Sequence, residues 1–165
     1  MQRTDRDGLS VHIREAKSED LPTIMHINRV SLPENYSYSF FHNIYETFPN
    51  AFLVAEVDSM VVGYIMCRVE RIFSKIERFR YRRAGHVISI AVLPEYRGRG
   101  VGRRLMEVAL SVLKDRYKCD EVFLEVRVSN WQAIRLYENL GFVVSEVLKH
   151  YYLDGENAYV MARSL

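Results

Sequence analysis

The sequence is short of three things, and each shortage removes a class of protein. It has two cysteines in 165 residues, Cys67 and Cys119, far apart in the chain. A disulfide framework or a structural zinc site needs more of them at closer spacing. Two buried, reduced thiols in a cytoplasmic protein are expected instead. It has no apolar run approaching the roughly 20 residues of a membrane span. Residues 1–10 are polar and lack the apolar stretch of a signal peptide, so they read as a disordered tail. It has no excess of charge, with 23 basic against 21 acidic side chains and a net charge of +2. A nucleic-acid binder usually shows a clear basic surplus.

What is present fits one soluble globular domain over residues 11–165. Apolar residues make up 48% and charged residues 27% of the chain, enough to bury a core. No repeat, low-complexity segment or linker divides it. Residues 11–16 alternate as a strand. Ser18 is placed to cap a helix carrying Leu21, Ile24, Met25 and Asn28 at helical spacing, which Pro33 ends. A second helix is expected over 39–48. Residues 51–57 and 60–69 read as a hairpin around Asp58-Ser59. Residues 71–83 are charged and irregular and read as a long exposed loop. A strand over 85–93, a helix over 101–117, a strand over 121–128 and a helix over 131–139 follow. Gly141 suits the left-handed C-terminal cap of that helix. Final strands are expected at 142–148 and 158–162. The mixture indicates an α/β (α+β) domain, a mixed sheet of about seven strands flanked by about four helices.

Between the strand ending at Leu93 and the next helix lies Pro94-Glu95-Tyr96-Arg97-Gly98-Arg99-Gly100-Val101-Gly102. Glycines let the backbone approach a ligand closely. The free amides and dipole of the following helix start favour an anion there, with phosphate or pyrophosphate the natural guest. A Walker loop would end in Gly-Lys-Ser or Gly-Lys-Thr, but Arg103 and Arg104 follow here. The dinucleotide fingerprint Gly-x-Gly-x-x-Gly also fails on spacing.

Arg97, Gly100 and Gly102 instead meet the pattern Arg/Gln-x-x-Gly-x-Gly/Ala. This resembles the coenzyme A loop of the GCN5-related N-acetyltransferase (GNAT) family. Further on, Asn130-Trp131-Gln132-Ala133-Ile134-Arg135-Leu136-Tyr137-Glu138-Asn139-Leu140-Gly141-Phe142 resembles that family's segment Asn-x-x-Ala-x-x-x-Tyr-x-x-x-Gly-Phe. The resemblance implies acetyl-CoA as cosubstrate. Its pyrophosphate would be held by Arg97, Gly98, Arg99, Gly100, Val101, Gly102 and Arg103. Asn130, Tyr137, Glu138 and Asn139 would add contacts, and the backbone of Ile90, Ala91 and Val92 would hold the thioester arm.

Attack of an amine on a thioester needs a base, an oxyanion donor and an acid for the leaving thiolate. Glu125 is the leading base: alternation places it on one strand face with Phe123 and Arg127, and a mid-strand carboxylate needs a partner, water or a role. A simple pair with Arg127 is the bland alternative. His86 is the second candidate, against a purely structural role. If the family fold holds, its strand neighbours that of Glu125, and the two side chains could share a proton or a water. Tyr137 would be the acid, unless it is only a core aromatic. Cys67 and Cys119 lie outside every motif, so direct transfer without an acyl-cysteine is expected. His86 and Glu125 are too few ligands for a metal site, and none is assigned.

A closer resemblance, over nearly the whole chain beyond residue 11, is to protein N-terminal acetyltransferases of the archaeal Ard1 type. It rests on Leu32-Pro33-Glu34-Asn35-Tyr36, on residues 124–130 and on Tyr151-Tyr152-Leu153-Asp154-Gly155-Glu156-Asn157-Ala158-Tyr159. It implies that free N-terminal α-amines of proteins are the acceptors. Tyr36 and Tyr152 would bond the peptide backbone, and Glu34 would face the first side chain, narrowing the pocket or acting on the amine by charge. The tyrosines could equally be loop packing, and Asp154-Gly155 a plain turn. A cytoplasmic monomer or weak dimer is expected, with no membrane, no required nucleic acid and an option of ribosome association. Two alternatives remain at this point: a small-molecule amine acetyltransferase of the same fold, and a non-catalytic acyl-CoA-binding regulatory module.

Overall fold

The hairpin is built as the alternation predicts. Phe52–Val57 (β3) and Met60–Phe73 (β4) pair antiparallel around Asp58 and Ser59. Both turn residues take positive φ, 50° and 64°, so the turn twists with its strands. The computed structural model describes residues 3–4 and 9–165. The other elements, in chain order, are Arg3–Thr4 (β1), Ser10–Glu15 (β2), Leu21–Ser31 (α1), Tyr38–Thr47 (α2), Tyr81–Val92 (β5), Val101–Asp115 (α3), Glu121–Arg127 (β6), Trp131–Asn139 (α4), Val143–Leu148 (β7) and Ala158–Ser164 (β8). This is the mixed sheet with α-helices that the pattern predicts. Among the described residues no helix is long and apolar enough to cross a membrane.

Contacts group the chain into two units, residues 1–68 with 87–112 and residues 69–86 with 113–165. In the first, strands run in the order β1-β2-β3-β4-β5. Leu21, Ile24 and Ile27 share one face of α1 and pack with Phe41, Ile44, Phe52, Val54, Tyr64 and Met66. In the second, the order is β4-β5-β6-β8-β7. Here β5 and β6 run parallel, with Ala84 opposite Glu121 and His86 opposite Phe123. The core is Ala84, Phe123, Val160 and Ala162, with Ile72 and Leu148 against it. Gly85 sits so close to Leu113 that an added Cβ would come within 2.6 Å of a leucine methyl. Glycine at this point lets the Leu113 side chain lie directly against β5. Both cysteines are free and buried, and burial pushes the Cys119 thiol up to about 11.

Three expectations change. The stretch 71–83 is not a long loop: β4 continues to Phe73, β5 begins at Tyr81, and residues 74–80 connect them. Charge density disguised the strands, whose cations find local partners. Arg82 pairs with Glu77, and Arg83 donates to the Tyr117 carbonyl. Phe73 and Tyr81 cross edge to face at 5.3 Å. Buried Ser74 closes the tip by accepting from the Ile76 and Glu77 amides. Ser18 caps no helix. It lies in a short 3-10 turn, Ser18–Asp20, and Asp20 does the local work, accepting from the Lys17 amide and pairing with Arg14 at 2.7 Å. Within the expected tail, Arg3–Thr4 pair with Val11 and Ser10, because the outer edge of β2 offers free ladder groups. Residues 1–2 and 5–8 lie outside the described residues.

Candidate active site

The anion loop follows from where β5 stops. In the first unit, Leu93 donates to the Val62 carbonyl at 2.8 Å, and Pro94–Tyr96 make a 3-10 turn. The Arg97 Nε then donates back to the Val92 carbonyl at 2.9 Å, tying the loop to the strand end. Gly98 and Gly100 take φ of 73° and 80°, a region that favours glycine. Gly102 is instead an ordinary residue of the first turn of α3. The first helical rung runs from the Arg104 amide to the Gly100 carbonyl at 3.0 Å. The amides of Val101, Gly102 and Arg103 precede that ladder and are available to an anion at the positive end of the helix. The Arg103 guanidinium is engaged by Glu107 at 2.8 Å, so the Arg103 backbone is the better ligand. Ile90, Ala91 and Val92 close β5 beside Gly63 of β4, where an added Cβ would lie 3.0 Å from the Ala91 carbonyl. Gly63 was not singled out by its sequence context.

Glu34 and Tyr36 belong to the same unit, and their loop is held from below by Asn28. This residue is 1% exposed. Its Nδ2 donates to the Glu34 carbonyl at 3.0 Å and to the Tyr64 hydroxyl at 3.1 Å, and its Oδ1 accepts from the Tyr36 amide at 3.4 Å. Tyr64 in turn shares a 2.7 Å bond with Ser89. The Tyr36 ring stacks on Phe40 at 4.7 Å, and its hydroxyl reaches the Ile88 carbonyl at 3.4 Å. Helical periodicity marked Asn28 only as a core-facing position; its polar role needs the fold.

In the second unit, parallel pairing of β5 with β6 brings His86 and Glu125 into contact. His86 Nε2 lies 2.7 Å from Glu125 Oε2. On the opposite nitrogen, Nδ1 lies 2.8 Å from Glu70 Oε2 of β4. The ring stacks on Phe123 at 4.2 Å. Burial alone would lower the pKa of His86, but the two carboxylates outweigh it and hold it above its ordinary 6.5. Glu70 was missed because it sits in the charged stretch Val69-Glu70-Arg71, where one more carboxylate carries no signal. Since the two carboxylates meet opposite sides of the ring, the three groups do not converge on one point.

The same unit holds the α4 residues. Asn130 is the N-cap of α4, its side chain accepting from the Ala133 amide at 3.3 Å. Its Nδ2 is the group with protons to donate outward. Tyr137 is 6% exposed and packs on Phe142 at 5.8 Å. Burial pushes its hydroxyl up to about 12, so it is protonated at any working pH. Glu138 and Asn139 are exposed at the helix end, and Gly141 takes φ of 90° there, as expected. Tyr152 lies under the Arg127 guanidinium at 4.1 Å. Arg127 also bonds Asp154 at 2.8 Å and Glu156 at 2.9 Å, so it organises the loop carrying Tyr152. Arg127 thus pairs with the loop acids Asp154 and Glu156.

The second unit supplies a carboxylate 2.7 Å from an imidazole and a phenol whose pKa burial raises, and the first unit a loop of free amides at a helix start. Comparison with known proteins identifies the family. Residues 21–142 match the model of the acetyltransferase (GNAT) family. An N-alpha-acetyltransferase of Saccharolobus solfataricus is 48% identical over 167 residues, spanning 100% of both chains. Ard1 from Thermoplasma volcanium superposes with a TM-score of 0.81 at 32% identity, covering 94% of this chain and 97% of that one. A chain of the NatC complex bound to Gag peptide and CoA superposes with a TM-score of 0.85 at 25% identity, covering 94% and 98%. The chain belongs to the GNAT acetyltransferase family, and its similarity to archaeal N-alpha-acetyltransferases of the Ard1 type extends over essentially its whole length.

Proposed function

We propose that this protein, as one acetyltransferase domain over residues 11–165, moves the acetyl group of acetyl-CoA directly onto the free N-terminal α-amine of proteins. The observation that carries this reading is the Glu125 carboxylate held 2.7 Å from His86. A module that only bound acyl-CoA would have no use for a partly buried, oriented carboxylate. An α-amine has a pKa near about 8, so a modest base acting directly or through one water suffices. The amine nitrogen attacks the thioester carbon, the new C–N bond forms and the C–S bond breaks. Glu125 accepts the amine proton, and Tyr137 supplies a proton to the departing thiolate. Backbone amides of Ile90, Ala91 and Val92 hold the arm and polarise its carbonyl. The loop from Arg97 to Arg103 would hold the pyrophosphate, and Asn130, Glu138 and Asn139 would flank the coenzyme.

Glu34, Tyr36 and Tyr152 form the peptide side of this proposal. Arg127→Met is expected to raise the peptide KM about tenfold and leave the acetyl-CoA KM within twofold, because losing charged hydrogen bonds costs roughly 1.5–3 kcal/mol and would loosen only the Tyr152 loop. Steady-state kinetics with each substrate varied checks this. The acceptor class is tested with short peptides bearing free or blocked N-termini and labelled acetyl-CoA. Label is expected on free N-termini alone. Label on blocked peptides that carry only a lysine amine would sink the N-terminal reading. The same reading places the enzyme in the cytoplasm as a monomer or weak dimer. It extends to work near the ribosome, where exposed Arg78, Phe79 and Arg80 at the tip between β4 and β5 offer cations and a stacking ring.

A further inference from the structure

A neutral imidazole can donate from one nitrogen only, yet both nitrogens of His86 face carboxylate oxygens, at 2.7 and 2.8 Å. An ionised carboxylate accepts and never donates. Both contacts are favourable together when the ring carries both protons, the first as a hydrogen bond and the second as a close ion pair. We propose that Glu70 is a positioning residue of the acetyl-transfer reaction: it keeps His86 doubly protonated, so that His86 is a fixed donor to Glu125 and not a base. The functional part of this proposal rests on the acetyltransferase reading; the protonation part does not.

The charges around the ring support the assignment. Glu70 reaches it from β4 and Glu125 from β6. A nearby cation, Lys75, lies 5.5 Å from the centre of Phe123, the ring stacked on His86, and is itself paired with Glu146. The side chains of His86 and Glu125 are 12% and 18% exposed, so the pairs are shielded from bulk water and screen poorly. A lone imidazolium beside Glu125 would stabilise its charged form and weaken it as a base. Glu70 offsets that positive charge while keeping the donor in place. His86 therefore orients Glu125 without disarming it. Linkage has a definite sign here. The folded ring binds its proton more tightly than the unfolded chain, so the trio contributes stability fully below about pH 6.5 and loses it as pH rises through the raised pKa.

The test is the protonation state of the His86 ring, followed by heteronuclear NMR on histidine-labelled protein, with His86→Ala to assign the signal. It is paired with the pH profile of kcat for the native protein and for Glu70→Gln and Glu70→Asp. The native ring is expected to carry two protons through neutral pH. In Glu70→Gln its titration should fall by about one unit or more. kcat should drop about tenfold, with a new inflection near neutral pH and an unchanged acetyl-CoA KM. Glu70→Asp should restore much of both. A native ring with a single proton at pH 7 overturns the proposal, and so does a ring that titrates identically in Glu70→Gln. The native measurement decides even if a variant misfolds. Doubly protonated His86 in a protein that acetylates no peptide would instead retire the functional reading and leave the protonation assignment standing.

Discussion

Glu125→Gln is expected to lower kcat about 100-fold or more, within the range usual for loss of a general base, while the KM for acetyl-CoA changes little. Glutamine has the same length and still accepts from His86 Nε2, so the 2.7 Å contact and the fold should survive. What disappears is the ability to take a proton. The loss is specific to turnover because Glu125 and the loop proposed to hold the coenzyme are carried by different elements, β6 and the start of α3. Replacing His86 by alanine should cost less than Glu125→Gln, since it removes the orienting donor and leaves the carboxylate. Steady-state kinetics with a free N-terminal peptide, across pH, measure both. A kcat for Glu125→Gln within threefold of native would remove it as the base.

Asn28→Leu is expected to cost about 2–4 kcal/mol of stability, from three hydrogen bonds worth about 0.5–1.5 kcal/mol each. In a chain of this size that corresponds to a fall in Tm of roughly 6–12 °C. Leucine fills nearly the same volume at a site 1% exposed, so the loss reports polar contacts and not a cavity. The Glu34 carbonyl and Tyr36 amide lose their anchor, and Tyr64 keeps only Ser89. The peptide KM should therefore rise while kcat at saturation stays near native. Calorimetry and kinetics separate this from Glu125→Gln, which should show the opposite pattern: normal melting and lost turnover. A variant melting within 2 °C of native would show that the loop does not depend on Asn28.

Legibility followed the reach of each signal. Elements with strong local periodicity were readable, down to the boundaries of α4 at Trp131 and Asn139. Glycine positions with a local backbone reason, Gly98, Gly100 and Gly141, were readable too, because positive φ is a property of the residue and its neighbours. The stretch 71–83 failed because dense arginine suggests solvent, while strand pairing there is decided by a partner segment and by Ser74 closing the tip. Ser18 failed as a cap because a 3-10 turn over Ser18–Asp20 precedes the helix, and Asp20, paired with Arg14 from β2, accepts the Lys17 amide.

The candidate site divides in the same way. Sequence by itself singled out the candidate anion loop, the Asn130 to Phe142 segment and Glu125 and His86 as candidates, since each is a contiguous motif or a charged residue out of place on an apolar strand. Only the tertiary structure decided what those residues touch. Parallel pairing of β5 with β6 sets the 2.7 Å contact between His86 and Glu125, and β4 brings Glu70 to the other nitrogen. The antiparallel partner of β6 carries the chain from the loop that Arg127 binds. Asn28 meets Tyr64 from 36 positions away. These are contacts between residues distant in the chain, and no local pattern encodes a partner that only folding supplies.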